Sequence, residues 1–296
     1  MRLATFNLLH GRSLSDGTVH ADRVRAAVAD LDADVLGLQE VDRAQPRSGH
    51  LDLTALAADA LGAPAHRFAA AVVGTPGQTW QPWHAEADAA HPQYGIALVS
   101  RFPVQRWQIT ELPGAPIRSP VLTPDEGLLL LKDEPRVLLA AVLETPHGLL
   151  SVGTTHLSFV PGWNVRQLRH AVRAMRALPA PRVLLGDLNM PAGPVRAFTG
   201  WRPLARAATF PSTWPRTQLD HVLADPRGRR RWAGWSRSAP RIRRSPTTAR
   251  WWSGSTADPG PRDIATRTGG GMTATGASVT NRVPWAACRI VFPAKH

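Results

Sequence analysis

Four apolar runs in this chain each end in a polar side chain, and that pattern constrains the fold more than any other feature. The runs are Leu3-Ala4-Thr5-Phe6-Asn7, Val35-Leu36-Gly37-Leu38-Gln39-Glu40, the stretch from Leu149 to His156, and Val183-Leu184-Leu185-Gly186-Asp187. Each reads as a core strand, because it is too short for a buried helix and rich in Val, Leu and Thr. Packing does not call for Asn, Glu, His or Asp where a buried strand ends; each such group needs a hydrogen-bond partner or a cation. In open sheets, ligands gather beyond the carboxyl ends of the strands. Gly186-Asp187-Leu188-Asn189 alone is ordinary turn chemistry. Beside Asn7, Glu40 and His156 it becomes one corner of a site.

The remaining periodicity completes an α/β chain. His20–Leu31 is predicted as an amphipathic helix with Val24, Ala27, Val28 and Leu31 on one face, and Leu51–Leu61 as a second helix stopped by Gly62. Strands are expected near 67–73, 95–100, 104–110, 136–143 and 149–155. Trp163–Leu178 is a helix with Val165, Leu168, Val172 and Met175 inward. Its other face carries Arg166, Arg169, Arg173 and Arg176, read as a solvated stripe. Gly74–Pro92 lacks periodicity and holds Trp80, Trp83 and His84, so a long loop that shapes substrate access is expected. With 296 residues the chain can bury one large core. It shows no internal repeat.

The ordered set Thr5-Phe6-Asn7, Leu38-Gln39-Glu40, Thr155-His156-Leu157, Gly186-Asp187-Leu188-Asn189 and Leu219-Asp220-His221 resembles the endonuclease/exonuclease/phosphatase superfamily. That superfamily includes the apurinic-site endonucleases, DNase I, the neutral sphingomyelinases and the inositol polyphosphate phosphatases. The resemblance runs from Leu3 to about Pro226 and is specific for the superfamily, but weak on substrate. Gly95-Ile96-Ala97 through Pro103 adds a similar strand and turn; Tyr94 beside it reads equally as a substrate contact or as a core or rim residue.

The resemblance implies a DNase I-like, four-layer α/β sandwich of two packed mixed β-sheets flanked by helices. It also implies Mg²⁺-dependent or Mn²⁺-dependent hydrolysis of a phosphoester, carried by a small molecule, a lipid headgroup or a nucleic acid. Such chemistry needs charge neutralised on the phosphoryl oxygens and a water presented in line. By resemblance, Glu40 is the principal metal ligand, with Asn7 beside it. Asp187 orients and deprotonates the water, and Asn189 holds Asp187 or a phosphate oxygen. His156 contacts phosphate, as in the sphingomyelinase-like and phosphatase-like branches. Asp220 matches an Asp whose partner His, near the end of the chain, is kept charged and aimed at the phosphate.

That partner His has no counterpart here. The family closes on Ser-Asp-His or Thr-Asp-His and an apolar strand, whereas the only later histidine after His221 is His296, with no Asp before it. Residues 229–296 hold 13 Lys/Arg against 2 Asp/Glu and 5 of the 11 Trp, while residues 1–228 carry a net charge of only +2. Back-translation of Ser245–Gly254, with G or C at most third codon positions and reading from each third base, yields (Ser/Thr)-Asp-His-Arg-Ala-Leu-Val-Val. This is the absent motif followed by the absent strand, so a frameshift near Gly228–Arg231 is inferred. The expected division is a catalytic domain over 1–228, its last strands missing, and a basic, out-of-frame, disordered tail over 229–296.

On that reading the basic excess says nothing about partners. A nucleic-acid-binding role for the tail is the weakest alternative, and a catalytically silent relic that still binds metal or phosphate is the stronger one. Cys288 is the only cysteine, so no disulfide framework exists. Neither a signal-peptide core nor an apolar run of transmembrane length is visible. A cytoplasmic, monomeric protein without a transmembrane segment is expected.

Overall fold

The apolar runs become strands that sort into two sheets. In a computed structural model the described residues are 1–87, 90–116, 118–123, 127–212, 214–227, 241–242 and 287–291. In chain order they form β1 (Arg2–Asn7), α1 (Ala21–Leu31), β2 (Val35–Arg43), α2 (Leu53–Leu61), β3 (Ala65–Gly74), β4 (Trp80–Pro82), β5 (Gln93–Ser100) and β6 (Val104–Leu112). There follow β7 (Arg118–Thr123), β8 (Gly127–Lys132), β9 (Arg136–Thr145), β10 (Gly148–His156), α3 (Trp163–Arg176), β11 (Arg182–Asp187) and α4 (Ala192–Thr199). The remaining strands are β12 (Arg202–Pro203), β13 (Asp220–Ala224), β14 (Arg241–Ile242) and β15 (Ala287–Val291).

One sheet runs β14-β15-β1-β2-β5-β3-β4, the other β12-β13-β11-β10-β9-β6, and β7 and β8 make a separate hairpin. Both main sheets are mixed: β1 is parallel to β2 and β10 to β11, whereas β2–β5, β9–β10 and β11–β13 are antiparallel. Inward side chains of the two sheets, among them Leu3, Val35, Leu98, Leu139, Val152 and Leu185, share one core. The outer face of the first sheet packs under α1 and α2 through Phe6, Leu36 and Leu38, and that of the second under α3 and α4 through Leu138, Leu184 and Leu223. The result is the four-layer α/β sandwich.

Local chemistry sets the ends of the elements. α2 starts at Leu53, two residues later than the periodicity suggests, because the Asp52 carboxylate accepts the N–H groups of Thr54 and Ala55, each at 3.0 Å. Gly62 then closes the helix in the left-handed region. The supposedly structureless Gly74–Pro92 stretch contains β4, which folds back on β3 with Trp80 opposite Gly74. A buried polar bridge also ties the sheets together beneath their carboxyl edge. Thr5 Oγ1 donates to Gln39 Oε1 at 3.1 Å, and Gln39 Nε2 donates to Thr154 Oγ1 at 3.0 Å.

The expected tail lies outside the described residues, apart from two strands. The sequence expects the sheet's last strands to be missing; yet β15 pairs antiparallel with β1 from Arg2↔Val291 to Phe6↔Ala287, and β14 pairs with β15. Their composition gave no strand signal, and only pairing against β1 defines them. Among the described residues, no helix is long and apolar enough to cross a membrane.

Candidate active site

Strand register brings the predicted residues together. Across β10, β11 and β13, His156 lies opposite Asp187 and Asp187 opposite Asp220. In the facing sheet Asn7 pairs with Gln39, which leaves Glu40 one step beyond the end of β1. There β2 is irregular between Leu38 and Val41, and Glu40 takes φ 53°. Asn189 is likewise left-handed, at φ 47°. Two non-glycine residues held in this sparsely populated region mark a site whose surroundings over-determine the backbone. Gly186 explains the first letter of Gly-Asp-x-Asn: at φ 141°, an added Cβ would come within 2.0 Å of the Thr155 carbonyl oxygen.

Asn7 links the two halves. Its Nδ2 donates to Glu40 Oε1 at 2.9 Å and reaches Asp187 Oδ2 at 3.4 Å, while its Oδ1 accepts the Leu9 N–H at 3.0 Å. The Asn189 N–H donates to Asp187 Oδ1 at 2.9 Å, and Asn189 Nδ2 donates to the Leu157 carbonyl at 2.9 Å. Of the two expectations for Asn189, the geometry matches holding Asp187, through the backbone. His156 Nε2 stands 3.8 Å from Asp187 Oδ2.

The electrostatics are those of buried acids facing one another. Burial drives the Glu40 carboxyl up to about 7 against the hydrogen bond from Asn7, and the Asp187 charge adds to the rise. Burial raises Asp187 too, against the hydrogen bonds from Asn189 and Asn7. Asp220 is pushed well above the usual carboxylate range, by burial and then by the Asp187 charge. Its Oδ1 is buried with no hydrogen-bond partner among the described residues. Burial first, and then the Arg136 charge, hold His156 well below its ordinary value, so the ring is neutral and its approach to Asp187 is not an ion pair. His10 Nδ1 stands 3.8 Å from Glu40 Oε2, and burial together with Arg47 and Arg12 lowers its pKa to about 3, so it too is neutral.

The sequence reading missed Arg136. Its Nη1 lies 3.4 Å from His156 Nδ1, and Arg136 is itself buried. The guanidinium has only hydrogens to offer, and on the other side of the ring Asn189 Nδ2, also a donor, stands 3.3 Å from His156 Nε2, so the neutral imidazole meets a donor group at each nitrogen. The available signal was the hairpin β9–β10, whose pairing sets the start of β9 beside the end of β10. Tyr94, left open by the sequence, is a buried residue with the Arg47 guanidinium 5.4 Å from its ring centre, and Arg47 is clamped on Asp42 at 2.7 and 2.9 Å. This clamp braces the strand that carries Glu40. The Arg stripe of α3 is partly engaged: Arg166 covers Trp163 and Arg169 covers Phe198.

Among the described residues no three His, Cys, Asp or Glu side chains form a ready-made metal cage. The donors nevertheless suit a hard cation. Mg²⁺ keeps most of its waters and takes one or two carboxylates, and Glu40 and Asp187 are buried carboxylates whose mutual repulsion a dication would relieve.

A two-sheet α/β sandwich with an acid-rich cluster at one sheet edge is thus the class of protein that fold and site define. The chain belongs to the endonuclease/exonuclease/phosphatase family, whose model matches residues 4–274. It is similar to the crystal structure of an endonuclease/exonuclease/phosphatase from Beutenbergia cavernae, with TM-score 0.60 and 19% identity, covering 98% of this chain and 70% of that one. A mannosyl-6-phosphatase of Bacteroides thetaiotaomicron matches with TM-score 0.51 and 16% identity over 76% of this chain and 85% of its own. A further family protein of Bacteroides thetaiotaomicron gives TM-score 0.51 and 18% identity over 76% and 83%. Likeness at such identities is one of fold. No curated protein matches.

Proposed function

We propose that the protein is a Mg²⁺-dependent phosphoester hydrolase. The observation that carries this reading is the meeting of Asn7, Glu40, His156, Asp187 and Asn189, from three strand ends, the irregularity in β2 and one loop, in a single buried cluster. Glu40, with Asn7 beside it, would hold the metal, which when bound supplies charge neutralisation on the phosphoryl oxygens. Asp187 has Oδ1 fixed by the Asn189 N–H, which leaves Oδ2 to accept the proton of an attacking water. Neutral His156 would meet a phosphoryl oxygen through Nε2, the ring nitrogen on the side of Asp187 and Asn189. Arg136 behind it supplies the fixed positive charge that the imidazole lacks.

Within the class, a phosphodiesterase or phosphatase is favoured over an apurinic-site nuclease, since residues 1–228 have a net charge of only +2 and backbone-cleaving proteins surround their mouths with Lys and Arg. A cytoplasmic setting, with which the lone cysteine agrees, is part of the proposal, as is a monomeric state.

One observation favours the alternative, a silent relic that binds metal or phosphate without turnover. Asp220, expected to steady a charged His, has its Oδ1 unpartnered among the described residues. Losing one preorganised charge partner costs about a hundredfold to a thousandfold in rate, which weakens an enzyme without abolishing it. Hydrolysis of bis-p-nitrophenyl phosphate with and without Mg²⁺, with Asp187→Ala as control, separates the two readings. A folded native protein that turns nothing over would sustain the relic.

A further inference from the structure

Next to the cluster lies a cavity of about 380 Å³ that none of the roles above uses. Its position follows from register. Leu112, at the end of β6, pairs with Arg136, and Leu138 pairs with Thr155, so the start of β9 adjoins His156. In the other sheet Val72 pairs with Tyr94 and Tyr94 with Asp42, so the end of β3 adjoins the strand of Glu40. The cavity opens between these two ends, with Arg136 as the residue it shares with the cluster.

The walls are apolar and aromatic: Trp80, Trp83, Ile109, Leu112 and Val137 line it. Lys132 already stands 5.1 Å from the Trp80 ring centre, whereas Trp83 and Ile109 are 42% and 45% exposed. The turn Pro113–Pro116 forms the floor and is anchored, because Trp163 Nε1 and Gln167 Nε2 both donate to the Pro113 carbonyl, at 2.8 and 2.9 Å. Asp133, also in the lining, is buried and held through one oxygen only. Its Oδ2 accepts the Ala115 N–H at 2.8 Å, while Oδ1 has no hydrogen-bond partner among the described residues, the Arg136 guanidinium standing off at 3.9 Å. Oδ1 has essentially no accessible surface, so this carboxylate braces the wall beside Arg136 and does not face the cavity.

We infer that this cavity receives the alcohol portion of the substrate, and that this portion is a flat ring, in a small phosphoester whose phosphoryl group meets the catalytic cluster at His156, in front of Arg136. The inference rests on the hydrolase reading and adds the substrate class. A cavity of this size, mostly apolar with a few converging polar groups, has the form of a small-molecule pocket. Tryptophan faces favour a ring over an alkyl chain.

The test is calorimetric titration of the full chain with three non-hydrolysable probes: methylphosphonate, hexylphosphonate and benzylphosphonate. Benzylphosphonate is expected to bind at least about tenfold more tightly than methylphosphonate, and more tightly than the alkyl probe. Trp83→Ala should erase the ring preference, and Ile109→Ala reduce it; both positions are half-exposed, and circular dichroism checks that the variants fold. Asp187→Asn should abolish turnover and keep the ring preference. Equal affinity for methyl and benzyl probes, absence of binding by all three, or a ring preference untouched by Trp83→Ala overturns the inference. Turnover without ring preference would sink the pocket and spare the hydrolase reading; ring preference in a protein that hydrolyses nothing would do the reverse.

Discussion

Replacing Asp220 with Asn should stabilise the protein, by an amount that grows with pH. Asp220 is buried opposite Asp187, with Oδ1 unpartnered among the described residues, and burial followed by the Asp187 charge pushes its carboxyl well above the ordinary range. In the unfolded chain the same group titrates near about pH 4. As pH rises above that value, the unfolded state releases a proton that the folded state keeps, so the unfolded state is favoured progressively. Stability contributed at low pH is therefore lost through the interval between the unfolded and folded titrations, at about 1.4 kcal/mol per pH unit. Asn does not ionise and escapes that slope. In metal-free buffer, Asp220→Asn should match the native protein near about pH 4 and gain about 1.4 kcal/mol for each pH unit until the folded carboxyl itself titrates. For a chain of this size each kcal/mol moves Tm by about 2–4 °C, so thermal unfolding at successive pH values reads the effect directly. The opposite result, a variant less stable than the native protein at neutral pH, would mean that a cation sits against Asp220. The reading of a site without its Asp–His wall would then be wrong.

Three further outcomes follow from the geometry. Gly186→Ala should cost about 2–4 kcal/mol, because its Cβ would meet the Thr155 carbonyl oxygen at 2.0 Å; chemical denaturation measures it, and a neutral change would refute the strained turn. His221, whose Nε2 donates to the Met190 carbonyl at 2.8 Å, is lowered by burial to about 4. Because the unfolded imidazole takes its proton first as pH falls from about 6.5, this residue should withdraw about 3 kcal/mol of stability between there and pH 4, and His221→Gln should flatten that part of the stability profile. Sequencing the DNA across codons 225–260, with mass measurement of the C-terminal peptide, should reveal the proposed shift in frame. A gene and a peptide that both read as written, with no in-frame ancestor recoverable by a single-base change, would exclude it.

Much of the site was legible because its side chains stand where apolar runs stop. Asn7, His156 and Asp187 each end a strand, Glu40 stands at the irregularity inside β2, and parallel pairing of β1 with β2 and of β10 with β11 carries them to one edge. Arg136 and Asp133 were hidden for the complementary reason: they stand at or before the start of a strand, and only antiparallel register returns that end to the site. β4 is three residues long and exists by its pairing with β3, so no periodicity could announce it. The left-handed backbone of Glu40 was equally silent, since Gln-Glu-Val carries no turn signal and the irregularity arises from pairing with β5. Composition misled at the C-terminal end, where a strand in register with β1 comes from a segment read as tail.

Whether the cluster around Asp187 hydrolyses phosphoesters with a divalent cation is decided by one comparison. Turnover of bis-p-nitrophenyl phosphate by the native protein is measured in Mg²⁺, after chelation and after Mg²⁺ is restored, alongside Asp187→Ala verified as folded. The expected result is hydrolysis that chelation abolishes and Mg²⁺ restores, with a loss of at least about a hundredfold in the variant. Hydrolysis that survives chelation, or that Asp187→Ala retains, would contradict it.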